Sequence, residues 1–307
     1  MKKIFYLACV LGVIFTAQQL SARPSTQGGG RTIGVILLGT DIQHCRDFQK
    51  GIEDVCAGHG DKVVVLDPNW EIARYAPLVD DLIAMKVDGI IIEGLDQEAH
   101  IGAIKAANAA GIDVVQSDNW CKDESITAGQ AASDNFDAGY QCGLDAVKKL
   151  GGRNIRAIVL SNPGSPAADD RTNGFKKAVA EAGGRIVAEQ RGNGVEQGAR
   201  VADDLLQANP TANVIMGNHD PAAYGALSSV KAIGKTGQIL IYGVDGNPEN
   251  LEAIKAGEIA GTAKQDPYKM GAVSAEFLYN KWEGKTYEKK VQIPIQFVNS
   301  DNVDKFL

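Results

Sequence analysis

The sequence predicts an α/β protein made of two doubly wound parallel-sheet lobes. Three observations carry that expectation. Short apolar runs alternate with amphipathic helical segments along nearly the whole chain, the pattern of parallel sheets covered on both faces. The alternation pauses near Ser133 and then restarts. A chain of 307 residues is also longer than one small core needs, and a single open sheet would be crowded by so many elements.

Taken in order, Thr32 to Leu38 is an almost continuous apolar run and reads as a buried strand. Cys45, Phe48, Ile52, Val55 and Cys56 follow at helical spacing. Val63 to Leu66 is the second strand, and Leu78, Val79, Leu82 and Ile83 form the face of a helix with Pro77 in its first turn. Gly89 to Ile92 is the third strand, Ala99 to Ala110 a helix stopped by Gly111, and Ile112 to Val115 the fourth strand. After Ser133 come a helix from Asn135, a strand Ile155 to Leu160, a helix with Phe175 and Val179, a strand Ile186 to Ala188 and a helix with Val201 and Leu205. Strand Val214 to Met216, a helix from Pro221, strand Ile239 to Tyr242 and a helix with Leu251 and Ile254 continue the rhythm. The tail departs from it: Tyr268 to Trp282 is a long helix, and Val291 to Val298 reads as one strand interrupted by Pro294, an awkward residue for a central strand.

The N-terminus differs from the rest. Lys2 and Lys3 precede an apolar stretch from Ile4 to Ala17, and Ser21-Ala22 supplies a small-residue cleavage point. This is the layout of a secretory signal peptide over residues 1–22, with a leader over 23–30, and it predicts export to the periplasm. The apolar run is shorter than the roughly 20 residues a spanning helix needs. The net charge of −7 argues against a nucleic-acid partner, whose phosphates require a basic face. Beyond Cys9 in the signal segment, Cys45, Cys56, Cys121 and Cys142 allow either buried free thiols or a disulfide. Cys45 and Cys56 share one helix, which at 1.5 Å per residue holds them roughly 16 Å apart, too far to bridge.

Catalytic and cofactor signatures are missing. The sequence has no Gly-x-Ser-x-Gly, phosphate-binding loop or His-Glu-x-x-His, and Gly28-Gly29-Gly30 precedes the first strand instead of following it. Its four histidines are scattered, without metal-ligand spacing, so neither cofactor nor metal is expected. In open parallel sheets ligands collect beyond the carboxyl ends of the strands. The loops there carry Asp41 and His44, Asp118 and Asn119, Arg171, His219 and Asp245. Carboxylates accept, amides do both and arginine donates in a planar fork, a set that suits a ligand rich in hydroxyls. Such residues also cap helices and form turns; it is their convergence on one cleft that favours a ligand.

Five short segments carry a resemblance: Asp118 after the fourth strand, Ala132-Ser133-Asp134-Asn135, Arg171-Thr172-Asn173-Gly174-Phe175, Tyr242-Gly243-Val244-Asp245-Gly246 and Gly261-Thr262-Ala263-Lys264-Gln265-Asp266-Pro267. In that order and spacing the chain resembles the periplasmic sugar-binding proteins of the ribose-, galactose- and allose-binding type, over about residues 31–300. The resemblance implies a type I periplasmic binding fold, with two lobes joined by a three-crossing hinge. The first lobe would combine residues 31–133 and 266–293, and the second 134–265 and 294–307. It implies sugar contacts at Asp118, Arg171, Asp245 and Gln265, with His219 where many members have asparagine and Asn119 where the ribose-binding type has arginine. Where members sandwich the sugar between aromatic rings, this chain has His44, Cys45 and Asn193; Trp120 or Trp70 can supply an apolar face instead.

The expectation is therefore a monomeric periplasmic protein that is not an enzyme. It would capture a sugar or polyol and deliver it to the permease of an ABC transporter. The competing reading is a receptor for a small signal molecule, such as a furanone-type autoinducer, reporting to a sensor kinase or chemoreceptor. A hydrolase using Asp118 and Asp245 is disfavoured, because Arg171 beside them keeps both carboxylates ionised.

Overall fold

The apolar runs become strands whose alternate side chains enter different cores. In β1 (Thr32–Ile36), Ile33 and Val35 join one cluster and Ile36 the cluster on the opposite face. The computed structural model describes residues 30–152 and 154–307; the expected signal peptide, and all of the leader except Gly30, lie outside the described residues.

The first sheet also contains β2 (Lys62–Leu66), β3 (Gly89–Glu93), β4 (Asp113–Ser117), β5 (Gly129–Ser133) and β11 (Lys290–Ile293), in the order β11-β5-β4-β3-β1-β2 with every pairing parallel. Helices α1 (Gln43–Gly58) and α9 (Pro267–Trp282) cover one face through Phe48, Ile52, Met270 and Leu278. Helices α2 (Tyr75–Met85) and α3 (Ile101–Ala109) cover the other through Val79, Leu82 and Ile104.

The second sheet repeats this plan with β6 (Arg156–Ser161), β7 (Arg185–Arg191), β8 (Val214–Gly217), β9 (Leu240–Asp245), β10 (Gly261–Lys264) and β12 (Gln296–Asn299), ordered β12-β10-β9-β8-β6-β7. Only β12 runs antiparallel to its neighbour. Helices α4 (Asn135–Lys149) and α5 (Pro166–Glu181) cover one face, and α6 (Val195–Ala208), α7 (Asp220–Ala232) and α8 (Pro248–Lys255) the other. Both lobes are thus doubly wound, and the chain passes between the sheets three times, after β5, β10 and β11.

Two features differ from the expectation, and a third decides between its alternatives. The segment Val291 to Val298 is not one strand: β11 and β12 belong to different sheets, and Pro294, which has no N–H to donate, lies in the passage between them. β5 (GQAAS) and β10 (GTAK) are additional strands. Cys45, Cys56, Cys121 and Cys142 are all buried free thiols, packed in the cores as small apolar side chains. Among the described residues, no helix is long and apolar enough to cross a membrane.

Candidate functional site

In both sheets the strand order turns between two neighbours, β1 and β3 in the first, β6 and β8 in the second. A crevice opens beyond the carboxyl ends of strands at such a point. The first lobe places there His44 at the start of α1, Glu93 at the end of β3, and Asp118 and Asn119 just after β4. The second lobe places Arg171 on α5, Asn218 and His219 after β8, Asp245 at the end of β9 and Gln265 after β10.

Within the first lobe, His44 Nε2 lies 3.1 Å from Glu93 Oε1 and 3.8 Å from Asp118 Oδ1. His44 Nε2 and Glu93 Oε1 thus lie at ion-pair distance although neither makes an aligned hydrogen bond in the protein. Asn119 Nδ2 donates to Asp118 Oδ2 at 3.1 Å and to the Gly94 carbonyl at 2.9 Å, which orients the carboxylate.

In the second lobe, Arg171 is buried and donates from Nε to Asn135 Oδ1 at 2.8 Å and from Nη1 to the Asn218 carbonyl at 3.1 Å. Its Nη1 also lies 3.5 Å from Asp245 Oδ1, which accepts from Gln265 Nε2 at 2.7 Å. Behind this group the fully buried Asp220 carboxylate accepts from the Asn247 N–H, Asn250 Nδ2 and Thr262 Oγ1. It thereby ties together the loops after β8 and β9 and strand β10. Burial, reinforced by Asp245, pushes the Asp220 carboxyl up to about 7.

The two opposed carboxylates share a backbone feature. Asp118 has φ of 67° and Asp245 φ of 128°, both in the region that side-chain-bearing residues rarely occupy. Such conformations persist where the surroundings over-determine them, and they cluster at ligand sites.

The charges of the two lobes act on each other. Burial pushes the Asp118 carboxyl up to about 6; Glu93 and Asp245 add to the rise, while His44 and Arg171 oppose it. Burial alone would lower the His44 pKa, but Glu93, Asp118 and Asp245 together raise it to about 9, so the ring is cationic at neutral pH. His219 goes the other way: burial lowers it, with Arg171 adding to the drop and Asp245 opposing it, and the ring is neutral. Among the buried polar atoms with no protein partner are Asn119 Oδ1, His219 Nδ1 and Gln265 Oε1 at this site, with others elsewhere, such as His100 Nδ1 and Arg156 Nε. Orphans of this kind are rare away from ligand or water sites.

Of the residues expected from sequence, the structure joins His44, Asp118 and Asn119 in the first lobe and Arg171, Asp245 and Gln265 in the second, with His219 within their electrostatic reach. Asp41 is exposed and accepts from Trp70 Nε1 at 2.9 Å, so Trp70 stands beside the loop that leads to His44. Trp120 is placed elsewhere: Lys290 Nζ lies 4.9 Å from its ring centroid, beside edge strand β11. Asn193 is exposed in the loop before α6, where its N–H donates to Gln197 Oε1. Sequence reasoning missed Glu93. The available signal was a charged residue ending the apolar run Gly89 to Ile92, at the same strand position as Asp245 in β9. Among the described residues, no group of three or more histidine, cysteine, aspartate or glutamate side chains is arranged to hold a metal ion.

A model of the periplasmic binding protein domain matches residues 33–286. The chain is 29% identical over 278 residues to the ribose import binding protein RbsB of Bacillus subtilis, covering 90% of each chain. It is 30% identical over 237 residues to the D-ribose/D-allose-binding protein of Pseudomonas aeruginosa, covering 73% of each. Among solved structures, it superposes with a TM-score of 0.83 on an ABC transporter periplasmic solute binding protein from Actinobacillus succinogenes with bound D-allose; the two are 26% identical, and the match covers 90% of this chain and 99% of that one.

Proposed function

The chain belongs to the periplasmic binding protein domain family, a family of binding proteins and not of enzymes, and from that premise we propose that it captures a neutral sugar or polyol between its lobes and delivers it to an ABC transporter permease. In this reading the protein is exported under its N-terminal signal peptide and works in the periplasm. The observation that carries the proposal is that each lobe presents a cation beside a carboxylate, His44 with Asp118 and Arg171 with Asp245, with unpartnered amide and imidazole atoms around them. A hydroxyl both donates and accepts, so a polyhydroxylated ligand meets both members of each couple.

The charge balance supports a neutral ligand. Glu93, Asp118 and Asp245 bring three carboxylates against the two cations His44 and Arg171. An anionic ligand would add to an excess of negative charge in a buried place, which is costly. Capture follows from differential contact. Open and closed forms interconvert about the three inter-lobe passages, and a ligand that touches both lobes only in the closed form shifts the population toward it. Micromolar affinity corresponds to about −8 kcal/mol, within reach of a few hydrogen bonds to charged groups at about 1.5–3 kcal/mol each.

The test is a thermal-shift screen of the mature protein against pentoses, hexoses, polyols, inositols, the corresponding sugar acids and furanones. A ligand at about 100 times its Kd adds about 2.7 kcal/mol of stability, so a neutral sugar or polyol should raise Tm clearly and its acid derivative less. Silence across all neutral sugars and polyols, with a shift from a furanone or a sugar acid, would overturn the assignment.

A further inference from the structure

Glu93 is fully buried at the carboxyl end of β3, beside β1 where the first sheet's strand order turns. One of its oxygens accepts the Leu38 N–H at 3.0 Å, and the other faces His44 Nε2 at 3.1 Å. A carboxylate buried without a cation is unstable in its charged form, and an imidazole at this depth would ordinarily be neutral. Glu93 therefore sustains the charge of His44. The remaining groups acting on His44 are acidic too: Asp118 from the end of β4 and Asp245 across the cleft from β9. Its helix neighbour Cys45 adds no charge, because burial and Glu93 push that thiol far up.

We propose that Glu93 is a positioning residue for ligand selection: it holds His44 in the doubly protonated form, which makes His44 the first lobe's cationic hydrogen-bond donor, opposite Arg171 of the second. The ligand must then turn an oxygen lone pair, from a hydroxyl or a ring oxygen, toward His44. This inference rests on the cleft being the ligand site. The sign of the pH dependence follows. His44 is raised to about 9, so it keeps its proton throughout the neutral range, where the site carboxylate that changes charge in wild type is Asp118, pushed up to about 6. Glu93→Gln removes the closest carboxylate while its amide oxygen still accepts from Leu38. Burial then draws His44 down toward or below the ordinary 6.5, and the donor is lost as pH rises through neutrality.

The experiment has two arms. Histidine ring NMR follows the His44 titration in unliganded wild type and Glu93→Gln, and calorimetry follows D-ribose and D-allose binding from about pH 6 to about pH 8. Expected are a wild-type His44 that stays charged beyond pH 8, and a variant that titrates within or below the neutral range. Compared with wild type at the same pH, the variant's affinity should be about tenfold weaker wherever its His44 is neutral, the loss of a charge-assisted hydrogen bond, so that titration of Asp118 cancels from the comparison. If Glu93→Gln does not fold, wild type taken from about pH 8 to about pH 10 should weaken as His44 titrates, and His44→Gln should not. A wild-type His44 that titrates near its ordinary value overturns the proposal, as does a folded Glu93→Gln whose affinity equals that of wild type at every pH. Should neither sugar bind, the choice of ligand fails, and the ring titration of the unliganded protein still decides whether Glu93 keeps His44 charged.

Discussion

Arg171 links three partners with one planar guanidinium: Asn135 through Nε, the Asn218 carbonyl through Nη1, and Asp245 beside it. A lysine ammonium is a point charge and cannot span the same positions. Arg171→Lys therefore leaves buried acceptors unpaired even though the charge is kept. We expect a loss of about 1.5–3 kcal/mol, or roughly ten- to a hundredfold in affinity, at unchanged secondary structure. Calorimetry with the best sugar from the screen checks this, and wild-type affinity in the lysine variant would remove Arg171 from the site. At this scale the sequence was informative where a polar residue follows an apolar run in a loop, as at Asp118, or ends the run in a familiar motif, as at Asp245. Glu93 escaped because its meaning is not local. In sequence it is the polar end of one strand, and only the neighbouring strand β1 brings His44 to it. Trp120 shows the same limit: adjacency to Asp118 in sequence does not fix where its ring goes, which is under Lys290.

The elements were legible where hydrophobic periodicity is strong. Runs such as Gly89 to Ile92, or the spacing of Phe48, Ile52 and Cys56, admit one assignment. β5 and β10 were not, because Gly-Gln-Ala-Ala-Ser and Gly-Thr-Ala-Lys hold almost no β-branched or aromatic residues. They are strands because their backbones pair with β4 and β9, which is tertiary context overriding propensity. Close helix approach was equally hidden. A Cβ on Gly271 of α9 would lie 2.0 Å from the Phe48 carbonyl oxygen of α1, and a Cβ on Gly51 2.0 Å from that of Tyr268. The two helices cross backbone to backbone, and α1 carries His44 at its start. Gly271→Ala must push them apart, with an expected cost of about 1–3 kcal/mol, the usual range for overpacking. The expected result is a lower Tm with wild-type spectra; a Tm equal to wild type would show that the crossing has slack.

Over the whole molecule, the same strand order occurs twice and the chain passes between the copies three times. In the proposed reading the ligand groups are divided between the two lobes. The first supplies His44, Asp118 and Asn119; the second supplies Arg171, Asp245 and Gln265. A ligand seated on one lobe alone has little differential affinity for the closed form, and without that difference it cannot shift the equilibrium, however tightly it binds. Binding and closure should therefore be lost together when either half-site is broken. Small-angle scattering on wild type should show a smaller radius of gyration when the sugar found by the screen is added. Asp118→Ala in the first lobe and Asp245→Ala in the second should each abolish that change at sugar concentrations that saturate wild type. Compaction that survives either substitution would mean that one lobe suffices to drive closure, and that the opposed carboxylates are not what couples the ligand to the hinge.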